Sequence, residues 1–406
     1  MVRCYALSGI VCLALSAANG QLPTAPQPQQ KFQQLGPPRA KRVGDQACVP
    51  CHEAYSSSYL HTSHHLTSQP ASGQAILGSF SGSDLKIVDP IPSRSLPGLS
   101  FHMEARDGGY YETAIVGTPG HEQSHSERID VVTGSGTRGQ SYLYWLGDQL
   151  FELPLSYWAD GHQWINSPGY QDKTANFARP IYPRCLECHA TSIVARSSDP
   201  LTNHYDRASL VTGISCETCH GGGADHVTAH SATRAMASST GEPTILNPAR
   251  FVRDRQVDLC ALCHSGGKRA ELAPAFSYLP GQPLDGYLQP APADPDIQLD
   301  VHGNQVGLLK RSRCYLSSPT MSCSTCHQVH APERPAAAYS DRCLSCHRVQ
   351  SCKRSQTIGP KIADNCIDCH MPRQPTNAII VKTAGNVVRT TMRTHWIRIY
   401  PEVSGP

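Results

Sequence analysis

The pentapeptide Cys216-Glu217-Thr218-Cys219-His220 has the form Cys-x-x-Cys-His, and the same form returns six more times along the chain. It stands at Cys48/Cys51/His52, Cys185/Cys188/His189, Cys260/Cys263/His264, Cys323/Cys326/His327, Cys343/Cys346/His347 and Cys366/Cys369/His370. With 18 Cys and 20 His in 406 residues, shuffling the composition would give about 0.04 occurrences per chain. The repeat is therefore no accident of cysteine richness.

The spacing carries the chemistry. Two thiols one helical turn apart can each form a thioether to a haem vinyl group, and the His that follows then lies beneath the porphyrin as the proximal iron ligand. Seven covalently bound haem c groups are expected, held by Cys48, Cys51, Cys185, Cys188, Cys216, Cys219, Cys260, Cys263, Cys323, Cys326, Cys343, Cys346, Cys366 and Cys369. Their proximal ligands are His52, His189, His220, His264, His327, His347 and His370. Zinc ribbons need two Cys-x-x-Cys pairs per metal, so seven pairs would leave one over, and they do not require His after each second Cys. A disulfide framework leaves the seven histidines unexplained. Cys314 and Cys352 fall outside the motifs and are expected to bridge each other in an oxidising compartment.

A six-coordinate haem needs a second axial ligand, commonly His or Met. His330 lies three residues beyond His327, on the same side of any local helix, so it must serve a different haem. His226, six residues past His220, invites the same inference. His65 is too far from His52 along a continuous helix to be its trans partner. His302 follows a Pro-rich loop, and His395 precedes Trp396 near the C-terminus. These five are the expected distal ligands. His64, His162 and His230 are weaker candidates, and His61, His102, His121, His125 and His204 read as ordinary surface or core histidines.

Residues 1–20 hold one Arg, a 13-residue apolar stretch from Ala6 to Ala18, and a small-x-small site at Ala18-Asn19-Gly20. This reads as a signal peptide, because thirteen residues span about 20 Å as a helix against the roughly 30 Å of a bilayer core. Export to a periplasmic or extracellular location follows, with no transmembrane span in the mature chain. Residues 21–43 read as a disordered Pro/Gln-rich leader. The formal charge of +3 is read as spread along the sequence, without the basic stripe that nucleic acid requires. Loss of Arg3 with the signal leaves +2, and seven ferric haems at about −1 each would bring the mature protein to about −5, which weakly favours a basic or neutral redox partner.

The expected fold class is a multihaem cytochrome c, mainly short α-helices and irregular loops around stacked haems, with a small antiparallel β insert. The divisions are a first haem segment at 44–100, a β-rich insert at 101–180 and a six-haem domain at 181–406. The insert is read from Tyr110–Val116, Glu127–Val132, Gln140–Leu146 and Leu150–Leu153, with a hairpin turn at Gly147-Asp148.

Gly213–His226 (GISCETCHGGGADH), Cys48–His65 and Cys366–Pro372 (CIDCHMP) resemble the multihaem cytochromes grouped around the nitrifier tetrahaem cytochrome that takes electrons from hydroxylamine oxidation. That family commonly shows Gly-(Ile/Val)-Ser-Cys-Glu-x-Cys-His-Gly with a His shortly after, and Ser-x-His after the first motif. The resemblance maps these to Cys216, Cys219, His220 and His226, and to Ser63 and His65, which favours His65 over His64. Seven motifs instead of four, and the β insert, depart from the pattern. The Cys-x-x-Cys-Lys of nitrite-reducing relatives does not occur here.

The leading functional expectation is a carrier that moves electrons between redox partner proteins through mostly bis-His haems, more a carrier than a catalyst. Five distal candidates for seven haems keep a second expectation open: an oxidoreductase acting on a small nitrogen or sulfur species at one open haem. A third is a haem filament subunit.

Overall fold

The computed structural model describes residues 41–80, 98–170, 175–232, 244–266, 269–290, 303–332, 334–383 and 386–401. The signal peptide, nearly all of the Pro/Gln-rich leader and His302 lie outside the described residues. Thirteen strands run through those described: β1 (Ser68–Pro70), β2 (Ser100–Arg106), β3 (Gly109–Val116), β4 (Gln123–Arg128), β5 (Val131–Thr133), β6 (Gly139–Leu146), β7 (Gln149–Trp158), β8 (Gln163–Asn166), β9 (Arg179–Pro180), β10 (Ala190–Ala195), β11 (Tyr205–Thr212), β12 (Arg373–Thr383) and β13 (Asn386–Arg393).

Two tight turns organise the first half. Asp107 and Gly108 both take positive φ, 49° and 70°, as a two-residue loop between β2 and β3 demands. Gly147, at φ 62°, opens the turn that sets Leu146 opposite Gln149 in the β6–β7 hairpin. One antiparallel sheet runs β1-β5-β6-β7-β8, with β9 also paired to β7, and a second runs β2-β3-β4. Alternation along β2 turns Phe101 and Met103 inward, where they meet Tyr142, Tyr144, Leu153 and Leu155 from β6 and β7 in one core. Leu153 has no exposed surface. Leu153→Ala is expected to cost about 2 to 5 kcal/mol in denaturant unfolding, through lost burial and the cavity left behind.

The helices are short: α1 (Glu53–Tyr59), α2 (Pro183–Glu187), α3 (Cys216–His220), α4 (Ala224–Ala232), α5 (Arg253–His264), α6 (Gln305–Leu309), α7 (Arg313–Ser317), α8 (Ala336–Leu344), α9 (Ser355–Ile358) and α10 (Cys366–His370). The expectation of a mainly helical chain is overturned, since helix accounts for 29% and strand for 26%. Strands are not confined to the insert. β1 belongs to the first haem segment and pairs with β5, while β10–β11 and β12–β13 form hairpins within the C-terminal region. The physical reason is that the helices carrying Cys-x-x-Cys-His, such as Cys216–His220, Arg253–His264 and Cys366–His370, end within or at the motif, and stretches such as Thr191-Ser192-Ile193-Val194 then find hairpin partners. No helix among the described residues is long and apolar enough to cross a membrane.

Cys314 and Cys352, expected as a disulfide, are both free thiols. Cys314 sits on α7, close enough to Cys326 and Cys343 to help push their thiols up. Cys352 instead follows the 3-10 turn Val349–Ser351, and the two are held by separate elements.

Candidate haem-binding sites

Within a motif, one turn of backbone places the three chemical groups. The amide of His52 donates to the carbonyl of Cys48 at 3.0 Å, and those of His327 and His347 donate to Cys323 and Cys343 at 2.9 Å each. Both thiols and the imidazole therefore project from a single turn.

Four of these histidines pair with a histidine from elsewhere in the chain. His52 and His226 have ring centres 6.3 Å apart with planes 19° from parallel. His220 and His330 stand at 6.0 Å and 20°, and His327 and His395 at 6.2 Å and 18°. His264 pairs with His64 at 6.0 Å and 78°. Two iron–nitrogen bonds of about 2 Å, each followed by about 1.1 Å to the ring centre, would hold trans imidazoles about 6.2 Å apart. Parallel rings in face contact would approach to about 3.5 to 4 Å. In every one of the four pairs, one ring belongs to a motif and the other does not. The residues fit a bis-His haem.

Electrostatics keep these rings in the ligating form. Burial, reinforced by neighbouring histidines, lowers the pKa of His64 to about 4, and that of His395 likewise to about 4. Burial also lowers His264, His330 and His226. A neutral imidazole offers the lone pair that a protonated one lacks.

Hydrogen bonds at the other nitrogen fix orientation. His220 Nδ1 donates to the Leu246 carbonyl at 2.8 Å, His370 Nδ1 to that of Arg398 at 3.0 Å, and His395 Nδ1 to that of Arg393 at 3.3 Å. A carbonyl can only accept, so the proton is held on Nδ1 and Nε2 is left for a metal. Thr67 Oγ1 lies 3.0 Å from His189 Nδ1, and Thr244 Oγ1 lies 3.2 Å from His226 Nδ1.

The structure thus brings His226, His330 and His395 to proximal histidines. Beside His264 it places His64, while the adjacent His65 turns toward Tyr59 at 6.0 Å and Asp45 at 3.8 Å. His230 lies 4.5 Å from His226, itself outside the motifs, with the two rings tilted by 56°. His125 and His204 pair with Glu127 and Asp148. Sequence reasoning missed the residues that buttress these rings: Tyr55 and Tyr59 flank His330 at 5.2 and 6.2 Å, and Tyr59 is pinned by donating to the Ile214 carbonyl. Thr67 and the Leu246 carbonyl carried no signal, because their role depends on folding alone. Glu217 was visible in its motif, and its carboxylate accepts from the amides of Val43, Gly44 and Gly223, clamping the chain on both sides of the third motif.

Motifs also meet one another. Cys48 and Cys216, Cys188 and Cys263, and Cys260 and Cys323 are close enough to shift one another's thiols. Cys219 acts electrostatically on Cys260, and Cys343 feels both Cys326 and Cys366. Attachment points of different motifs therefore crowd together in a continuous series. Among the described residues, no group of three or more His, Cys, Asp or Glu forms a cage for a bare metal ion.

Residues 166–221, which contain the second and third motifs, match the family described as cytochrome c554 and c-prime. The fold is similar to that of an outer cell wall cytochrome, OcwA, with a TM-score of 0.56 and 17% identity over 88% of this chain and 79% of that one. At that identity the likeness is one of fold. Curated protein sequences yield no match. The matched segment and the fold support a multihaem c-type cytochrome with covalently bound haem c.

Proposed function

We propose that this chain is an exported heptahaem electron carrier that passes electrons between redox partner proteins in the periplasm or outside the cell. The observation that carries the reading is the set of four histidine pairs, each joining a motif to a distant ligand. His226 serves the first motif, His330 the third, His64 the fourth and His395 the fifth. Both members of every pair lie on one chain, which favours a self-contained molecule over ligation between filament subunits. Haem supplies a reversible one-electron iron couple, whose potential the protein sets through axial ligands, burial and nearby charge.

The chain's own contribution is positional. Mutual influence on their thiols associates the first motif with the third, the second with the fourth, and the fourth with the fifth. The proximity of Cys219 to Cys260 joins the third to the fourth, and Cys343 extends the series through the sixth to the seventh. Haems held at these motifs would form a branched series with the fourth motif at its junction.

Pyridine haemochrome quantitation against protein mass is expected to return seven haems per chain. The oxidised protein is expected to show low-spin ferric signals from the first, third, fourth and fifth motifs. A mass matching the bare polypeptide, or a spectrum dominated by axial high-spin iron, would sink the proposal.

A further inference from the structure

The positive charge, which reads as spread along the sequence, gathers toward the C-terminal motifs. Residues 336–364 carry Arg342, Arg348, Lys353, Arg354 and Lys361 against Asp341 and Asp364. That is a local excess of cations, and residues 365–401 add Arg373, Lys382, Arg389, Arg393 and Arg398 against Asp368 alone. All five cations are exposed. Among the described residues none of the five is in an ion pair, whereas nearby Arg393 is bound to Asp368 at 2.7 Å. Arg311 and Arg398 lie over Trp396 at 3.7 and 4.0 Å.

The five belong to one body. α8 packs on the 3-10 turn Pro360–Asp364, and α9 packs on that turn and on Val349–Ser351. The cations also frame the sixth motif: Arg342 immediately precedes Cys343, Arg348 immediately follows His347, and Lys353 and Arg354 come one short turn later. Cys346 and His347 are themselves exposed. The first motif, at the other end of the series, exposes Cys51, His52 and Glu53 and has no such concentration of cations.

Resting on the electron-carrier reading, we infer that the surface around the sixth motif docks an acidic redox protein, with Arg342, Arg348, Lys353, Arg354 and Lys361 forming its positive face. Unpaired cations spread over four neighbouring elements match a broad acidic surface, and more of them are present than a small anion can touch. Such a patch raises encounter rates and orients the partner, even where net charge points the other way. The partner is thus acidic at this face, against the weak preference that net charge alone suggests.

The test is stopped-flow oxidation of the reduced holoprotein by an acidic flavodoxin and by a basic monohaem cytochrome c. The second-order rate with flavodoxin is expected to fall about 10-fold or more between about 0.01 M and 0.15 M salt, as screening shortens the reach of the patch. Arg348→Glu/Lys353→Glu/Arg354→Glu is expected to remove most of that rate at low salt and flatten its salt dependence. The control Arg128→Glu/Arg207→Glu/Arg250→Glu makes the same change in net charge at exposed sites elsewhere, and should leave at least half the rate. Equal losses in the two triple variants would overturn the proposal in favour of net charge. An unchanged rate with a shifted haem midpoint potential would overturn it differently, by assigning the cations to haem propionates. Failure of the unaltered holoprotein to exchange electrons with either probe would instead remove the electron-carrier reading itself.

Discussion

His330→Ala is expected to turn one haem per chain from low-spin to high-spin, and that haem is the one attached at Cys216 and Cys219, not the one three residues away in sequence. The His330 ring lies 6.0 Å from His220, while His327 pairs with His395. Loss of a sixth ligand leaves the iron five-coordinate or bound to water, which electron paramagnetic resonance reads directly. His395→Ala should give a second high-spin haem of its own, and the double variant should give two. A double variant with only one converted haem would mean that both histidines serve the same iron, which contradicts the pairing. Added imidazole should restore the low-spin signal of His330→Ala, since it refills the vacated position without repairing anything else.

Glu112→Gln is expected to stabilise the protein increasingly as pH rises. Glu112 is fully buried on β3, where one carboxylate oxygen accepts from the Leu155 amide and the other has no hydrogen-bond partner. Burial pushes its carboxyl well above the ordinary 4.5, and neighbouring Glu152 adds to the shift. The folded chain therefore keeps a proton that the unfolded chain releases. Between the unfolded and folded pKa values, raising the pH favours unfolding by up to about 1.4 kcal/mol per unit, and Gln removes that penalty. Glu152, bound to Arg179 at 3.1 Å, is present in both proteins, and the comparison reads Glu112 together with its coupling to Glu152. Denaturant unfolding from pH 5 to 8 measures the difference. A constant gap across that range would show that Glu112 is ionised in the native fold.

The motifs made the attachment residues legible, because that chemistry needs only a pentapeptide. The insert was legible in part: the hairpin at Gly147-Asp148 follows from its turn residues, but β1 and β9 join its sheet from segments with little strand signature. Distal ligands divide in the same way. His330 could be assigned to another haem by helix geometry alone, whereas His64 and His65 are neighbours, and only the turn at 62–67 decides which of them reaches His264. The wider extent of strand was not legible, because short runs between closely spaced motifs read as loops until the fold supplies their partners. Once a haem motif ends its short helix, β-branched residues pair locally, as Ala190–Ala195 does with Tyr205–Thr212.

Pairing between distant histidines also imposes an order of assembly. During synthesis and export, the sites at His52, His64 and His220 emerge long before His226, His264 and His330 respectively, and His327 must wait for His395. On the proposed ligand pairing, covalent attachment and completion of the iron's ligand shell would be separate events in time. The chain cannot mature module by module from its N-terminus, and a product truncated before His395 would carry haem while lacking a finished fifth site.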